Sequence, residues 1–184
     1  VAGSVLGNWS AAGQGQGAAR PASMKAGLPL STQCTTLSKM CGSAMKATML
    51  AHDAIIAGSA DIIVAGGMES MTNAPYLLPK ARSGMRIGHG TVVDHMFLDG
   101  LEDAYDRGTL MGVFAEQCAD KFHFSREAQD DFALRSLSRA LAANNDGSFG
   151  WEIAPVTVAG RKGEIVIDRD EQPAKASPEK VPGL

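Results

Sequence analysis

Ser38-Lys-Met-Cys41-Gly-Ser-Ala-Met45-Lys-Ala-Thr-Met49-Leu-Ala-His52-Asp-Ala-Ile-Ile56-Ala-Gly58-Ser-Ala-Asp61-Ile-Ile-Val-Ala-Gly-Gly67 is the stretch on which the fold turns. Met45, Met49, His52 and Ile56 recur at spacings of three and four, the period of a helix from Cys41 to about Ala57. Gly58 follows it as a helix-ending residue. Asp61 to Gly67 is a short apolar run bounded by glycine, the form of a strand covered on both faces. Upstream, Leu30 to Leu37 mixes Thr and Cys with apolar residues and reads as another strand. Strand, helix, strand within about 40 residues is a parallel crossover unit, so the fold class is α/β.

Working outward, Val1 to Leu6 reads as the tail of a strand, followed by a Gly/Ala loop through Gly17. A short helix is expected from Pro21 to Ala26, with proline in its first turn and Gly27 after its last. Beyond Gly67 the character changes. Residues 68 to 110 are rich in Gly, Pro, Met and His with little periodicity, as in a functional or inserted layer. Helices are expected over Met111 to Phe122 and Arg126 to Asn144, the second capped by Ser125 and stopped at Asn145-Asp-Gly147. Ile153 to Val158 and Glu164 to Asp168 read as a β-hairpin around Gly160-Arg-Lys-Gly163, and the tail from Pro173 as an exposed loop. The expected organisation is a parallel-sheet domain over residues 1–67 and an α+β layer over 68–184.

With 184 residues, 45% of them hydrophobic, the chain can bury one good-sized core or one domain with an added layer. Aromatics make up only 5% and glycine contributes 21 residues, which suits closely packed helices and sheet. A net charge of -3 favours neither nucleic acid nor an anionic membrane surface as partner. No apolar run approaches the roughly 20 residues that span a bilayer. Cys34, Cys41 and Cys118 are too few and too odd in number for a disulfide framework, which points to a reducing cytoplasm. No acid precedes Asp53, so the first stretch is expected to form a buried centre and the rest a solvated layer. Val1 is not an initiator methionine and no closing element precedes Leu184, so the sequence reads as a piece of a longer chain.

Two chemical readings fail early. Gly13-Gln-Gly15-Gln-Gly-Ala18 fits the spacing of a dinucleotide loop, but the acid needed about 20 residues on is missing, leaving a plain turn. His52, His89, His95 and His123 have no CxxC or HExxH around them, so no metal site is expected and they read as surface or packing residues. Cys41 is more promising. Between a strand and a helix it sits on a tight turn, where the helix dipole favours a thiolate and the following N–H groups can meet an oxyanion. On spacing alone it reads first as an inert core cysteine and second as a nucleophile.

Ser38-Lys-Met-Cys-Gly-Ser-Ala-Met-Lys-Ala47 resembles the nucleophile segment of the thiolases, with Ala44 where glycine is common. Ile63-Val-Ala-Gly-Gly-Met-Glu-Ser-Met-Thr-Asn-Ala-Pro75 is similar to the family's next signature, at a matching distance. Further likeness runs through Asp99-Gly-Leu-Glu-Asp103, Met111-Gly112, Glu127-Ala-Gln-Asp130 and Gly160-Arg-Lys-Gly163, so it spans nearly the whole chain. Within the family it is greatest to the acetyl-CoA acetyltransferase branch.

The resemblance implies a thiolase-like layered fold and a cysteine acyl-enzyme, with Cys41 accepting the acyl group from acetyl-CoA or a 3-oxoacyl-CoA. It implies that residues 68–184 form the loop domain that holds CoA. By position, Leu101, Met111 and Leu137 match contacts to the pantetheine side and a helix, while Lys175, Ala176, Ser177 and Lys180 match the loop at the nucleotide end. As ordinary residues they are core and solvated surface. The resemblance implies no cofactor beyond CoA thioesters as substrates, and a homodimer or homotetramer in which Leu30 to Leu37 pairs with its twin. The family's catalytic histidine and second cysteine lie in Gly-His-Pro and Cys-Gly-Gly-Gly segments that these 184 residues do not contain, so these residues alone are expected to be inactive. One departure stands out: Thr109-Leu110 precedes Met111 where a histidine is common, and one extra residue separates Leu101 from Met111. Competing readings are a 3-ketoacyl-CoA thiolase of fatty-acid degradation, a carrier-protein condensing enzyme, and a non-catalytic CoA-binding or oligomerisation module.

Overall fold

The computed structural model describes residues 1–161 and 163–184, which form two compact units, Val1–Val113 and Phe114–Leu184. The first is built on a three-stranded parallel sheet in the order β2-β1-β3, with β1 at Gly3–Gly7, β2 at Gln33–Leu37 and β3 at Ile63–Gly67. The register runs Gly3 opposite Gln33 and Ile63, through to Gly7 opposite Leu37 and Gly67. The crossover from β2 to β3 is therefore parallel as expected, but it passes over β1, which takes the central place. Helix α1 spans Ala19–Lys25, starting two residues before the expected Pro21, and helix α2 spans Ser43–Ile56.

The buried face of α2 is not the apolar stripe that marks its period. Ser43, Ala47 and Ala51 lie against the sheet, whereas Met45, Met49 and Ile56 are 73%, 52% and 76% exposed. The reason is distance. A Cβ on Gly7 would stand 2.6 Å from Cβ of Ser43 and 2.9 Å from its carbonyl carbon. A Cβ on Gly67 would stand 2.5 Å from the carbonyl oxygen of Gly7. At the carboxyl end of the sheet, two strands and a helix start meet backbone to backbone, and only small side chains fit the face that seats there. The expected buried centre is correspondingly lean: Ala19, Ala47 and Ala51 are its fully buried apolar residues among those described, and Ile62 and Val64 of the β3 region are exposed. In this chain β3 is an edge strand rather than one covered on both faces.

Residues 68–110 carry short pieces: the pair β4 (Tyr76–Leu77) and β5 (Val93–Asp94), two 3₁₀ turns, and a π-helical turn at Phe97–Leu101. The change of composition after Gly67 and the division of contacts after Val113 are different boundaries. Residues just beyond Gly67 are fastened to the sheet end, since the Glu69 carboxylate accepts the backbone N–H groups of Trp9 (2.6 Å) and Ser10 (3.1 Å).

Helix α3 (Met111–Phe122) and helix α4 (Arg126–Asp146) follow, the latter two residues longer than expected. Ser125 caps α4 by accepting from the Ala128 N–H, and Gly147 ends it in the left-handed region at φ 81°. Strands β6 (Val156–Gly160) and β7 (Gly163–Ile167) pair antiparallel as the expected hairpin, of whose turn Lys162 lies outside the described residues. The tail is not a plain loop. Helix α5 (Glu171–Lys175), capped by Asp170, precedes a 3₁₀ turn at Pro178–Gly183. Sequence reading missed them because Pro173 and Pro178 read there as loop residues, whereas proline fits the first turn of a helix, where its absent N–H costs nothing.

The close approach at Gly67 makes a sharp prediction. Gly67→Ala should destabilise the protein by about 1–3 kcal/mol, because the obstructing atom belongs to backbone and cannot swing away. Gly66, one residue earlier in the same strand, has nothing within 4 Å of the added methyl, so Gly66→Ala should be near neutral. Urea denaturation of both variants beside the parent protein checks the contrast.

Candidate active site

Cys41 stands on a turn held by one buried side chain. The Ser43 hydroxyl accepts the Lys39 N–H at 3.0 Å and donates to the Met40 carbonyl at 2.6 Å. The same turn uses the Gly42 N–H, donated to the Lys39 carbonyl, and the Ser43 N–H, donated to the Met40 carbonyl, both at 3.1 Å. This double closure forces Met40 to φ 50°, a left-handed conformation that a long side chain adopts at a cost of about 1–2 kcal/mol. Such outliers persist only where the surroundings over-determine them. Here the surroundings are Ser43 and the Gly7 backbone beneath it.

The consequence is an exposed thiol immediately ahead of α2, with Gly42 as the helix N-cap. Cys41 is exposed, so the reading of it as a buried core cysteine does not describe its place in this chain. Gly42 itself has φ -90°, and a Cβ there would make only ordinary contact with Lys39, so the backbone does not require glycine. What glycine leaves is an uncovered peptide beside the sulfur. One expectation needs correcting: the Gly42 and Ser43 amides are spent on the turn and do not face outward as a ready oxyanion pair. Ser43 was the residue that sequence reading missed. Its signal was its place two residues after the cysteine, at the point where the chain must be tied down.

Cys34 is half-buried on β2, and its thiol donates to the Thr32 carbonyl at 3.4 Å. The Ser4 hydroxyl holds this thiol below its usual range, Ser23 and Arg20 act the same way, and partial burial opposes them. Ser4 and Ser23 are themselves buried and share a 2.7 Å hydrogen bond. Cys118, on α3, is exposed.

The remaining candidates fall in both units. Leu101 closes the π-helical turn and is half-buried; Met111 opens α3 and is half-exposed. Between them, residues 102–110 form a self-bonded loop: Glu102 accepts from Arg107 and the Gly108 N–H, and Asp103 accepts the Tyr105 and Asp106 N–H groups. The Asp106 and Tyr105 amides, with Arg107 nearby, hold the Asp103 carboxyl below its usual range against a small effect of burial. In the second unit, Leu137 is half-buried on α4, and Lys175 ends α5 with its ammonium 3.3 Å from Glu171. Ala176 and Ser177 join α5 to the 3₁₀ turn that carries Lys180. A crevice of about 350 Å³ adjoins Lys175, but Asp168, Asp170 and Glu171 share its wall with only Arg169 and Lys175, so it is net acidic rather than cationic. His95, expected only as a surface or packing residue, is 95% buried and paired to Asp99.

With this geometry in hand, the likeness to known proteins becomes interpretable. The family description "Thiolase, N-terminal domain" matches residues 1–183. The chain is 50% identical over 170 residues to acetyl-CoA acetyltransferase 2 of Arabidopsis thaliana, covering 91% of this chain and 42% of that protein. It is 49% identical over 170 residues to the acetyl-CoA acetyltransferase of Pseudomonas aeruginosa, covering 92% and 43%. The crystal structure of Acat5 thiolase from Ascaris suum in complex with coenzyme A superposes with a TM-score of 0.89 at 38% identity, over all of this chain and 46% of that one. The chain thus spans less than half the length of these relatives.

Two measurements test the site. Ser43→Ala should cost about 1–3 kcal/mol by orphaning the Lys39 N–H in a part-buried turn, and should slow alkylation of Cys41 as the turn loosens. Iodoacetamide labelling of Cys34 should rise at a lower pH than the roughly 8.5 of a free thiol, because only the thiolate reacts. Ser4→Ala should move that rise to higher pH, and an unmoved midpoint would show that Ser4 does not tune the thiol.

Proposed function

Because the chain belongs to the thiolase family, we propose that its protein is an acetyl-CoA acetyltransferase in which Cys41 is the acyl-accepting nucleophile. The carrying observation is the exposed thiol on a strained, Ser43-tied turn ahead of α2. In the forward direction the Cys41 thiolate attacks the thioester carbonyl of acetyl-CoA, and CoA leaves as the thiol once protonated. A base then removes the α-proton of a second acetyl-CoA. The resulting carbanion attacks the acetyl-enzyme carbonyl, forming acetoacetyl-CoA and releasing the Cys41 thiolate. Thiolysis of a 3-oxoacyl-CoA is the reverse. The base and the histidine of this scheme are expected from the motifs that these residues lack. CoA thioesters are the substrates, and the scheme needs no separate cofactor.

Leu101, Met111 and Leu137 are proposed to line the CoA arm, and Lys175, Ala176, Ser177 and Lys180 its nucleotide end, within a loop layer that runs over residues 68–184. The Ascaris neighbour was solved with coenzyme A, which supports acyl-CoA as the class of ligand. We read the protein as a homodimer or homotetramer joined through β2. This strand is an edge of the sheet, uncharged and Thr-rich, with a row of backbone groups open to a twin. A reducing, cytoplasmic setting suits its three free cysteines; among the described residues no helix is long and apolar enough to cross a membrane.

Incubating the full-length protein with radiolabelled acetyl-CoA should place one acetyl group on Cys41. Cys41→Ala should abolish both the label and acetoacetyl-CoA formation, and a label that survives the substitution would refute the assignment. Light scattering of the full-length protein should give a dimer or tetramer mass that persists on dilution.

A further inference from the structure

A second cluster, built around the buried His95 and the half-buried Trp9, lies in the first unit and takes no part in the chemistry above. Trp9 lies two residues after the end of β1, with its backbone N–H held at 2.6 Å by the Glu69 carboxylate. Its ring lies 6.2 Å from the His95 ring, centre to centre, at a tilt of 39°. It also covers Gly100 so closely that a methyl group there would overlap Cη2 and Cζ3 of the indole. His95 is buried, donates from Nδ1 to Asp99 at 2.6 Å, and has its backbone N–H on the Pro75 carbonyl. Asp94 caps the start of the π-helical turn by accepting the Met96 and Phe97 N–H groups, and the Glu102 N–H closes the turn on the Phe97 carbonyl at 2.8 Å.

These contacts form one mechanical chain. The sheet end that seats the Ser43 turn also holds Glu69, two residues beyond Gly67. Glu69 grips the backbone of Trp9, and the indole of Trp9 fills the notch that Gly100 and His95 leave in the π-helical turn. Leu101 is the next residue after Gly100. Single π turns are rare and recur at functional sites.

We propose that Trp9 is a positioning residue: its indole, seated between Gly100 and His95, fixes Leu101 relative to Cys41 so that the thioester arm of an acyl-CoA is aligned with the sulfur. This rests on the acyl-CoA reading above. It predicts a role that acts through Leu101 and leaves the intrinsic reactivity of Cys41 alone. A donor without pantetheine should therefore not notice the change.

The test uses the full-length protein with two acyl donors, acetoacetyl-CoA in thiolysis and p-nitrophenyl acetate, whose ester carbonyl Cys41 attacks with loss of p-nitrophenolate. Gly100→Ala and Trp9→Leu should each lower kcat/KM for acetoacetyl-CoA about tenfold, mainly through KM, while the p-nitrophenyl acetate burst stays within about twofold. The double variant should lose no more than the worse single one, because both substitutions break the same seat. Trp9→Phe, a milder change that protects against a folding failure of Gly100→Ala, should raise KM by a smaller factor. An unchanged KM in Trp9→Leu and Trp9→Phe would overturn the proposal, as would losses that multiply or a burst that falls in parallel. A parent protein that does not turn over acetoacetyl-CoA would instead sink the acyl-CoA reading, and the proposal with it.

Discussion

The closest contact at the carboxyl end of the sheet governs the rest of the first unit. Gly7 lies against the backbone of Gly67 on one side and against Ser43 on the other, with no room for a methyl group in either direction. At Gly7 the seating of the helix start removes the space, and at Gly67 the backbone of Gly7 does, so close packing transmits the demand from helix to both strands. Because α2 must come this near, it shows the sheet Ser43, Ala47 and Ala51, and its methionines and Ile56 turn away.

The same closeness accounts for the strained turn. A helix that starts against Gly7 has to be reached from β2 in five residues, Ser38 to Gly42, and the chain does so by reversing at Met40. The left-handed conformation there is expensive, and the two hydrogen bonds of the Ser43 hydroxyl, worth about 0.5–1.5 kcal/mol each, offset much of the cost. Strain and staple together leave the cysteine no alternative to projecting ahead of the helix. A flexible loop could expose a thiol equally well, but it could not hold it in one place.

Fastening continues beyond the turn. Glu69 and Trp9 tie the loops after β3 and β1 to each other, and the indole reaches the π-helical turn. The 102–110 loop is then organised by its own carboxylates, Glu102 and Asp103, which accept from the backbone and from Arg107. Since hydrogen bonds to the charged form lower the Asp103 carboxyl, its contribution is present above about pH 4 and is lost as the pH falls below that. Segments that look irregular in sequence are thus ordered by specific polar contacts rather than by a repeating pattern.

Periodicity and capping residues determined much of this protein without help: the strand-helix-strand crossover, the extent of α3, the Ser125 cap and Gly147 stop of α4, and the hairpin. Each depends on neighbours a few residues apart, so the information is local. The position of Cys41 between a strand and a helix was legible for the same reason. What only the tertiary structure decided is anything set by residues far apart in the chain. Periodicity cannot tell which side of α2 is buried, because the deciding atoms belong to Gly7, some 36 positions earlier. It cannot place β1 between β2 and β3, find the Ser43 staple, or foresee that the Trp9 indole packs against His95 and Gly100. Those facts come from long-range packing, where one backbone approach settles which side chains fit.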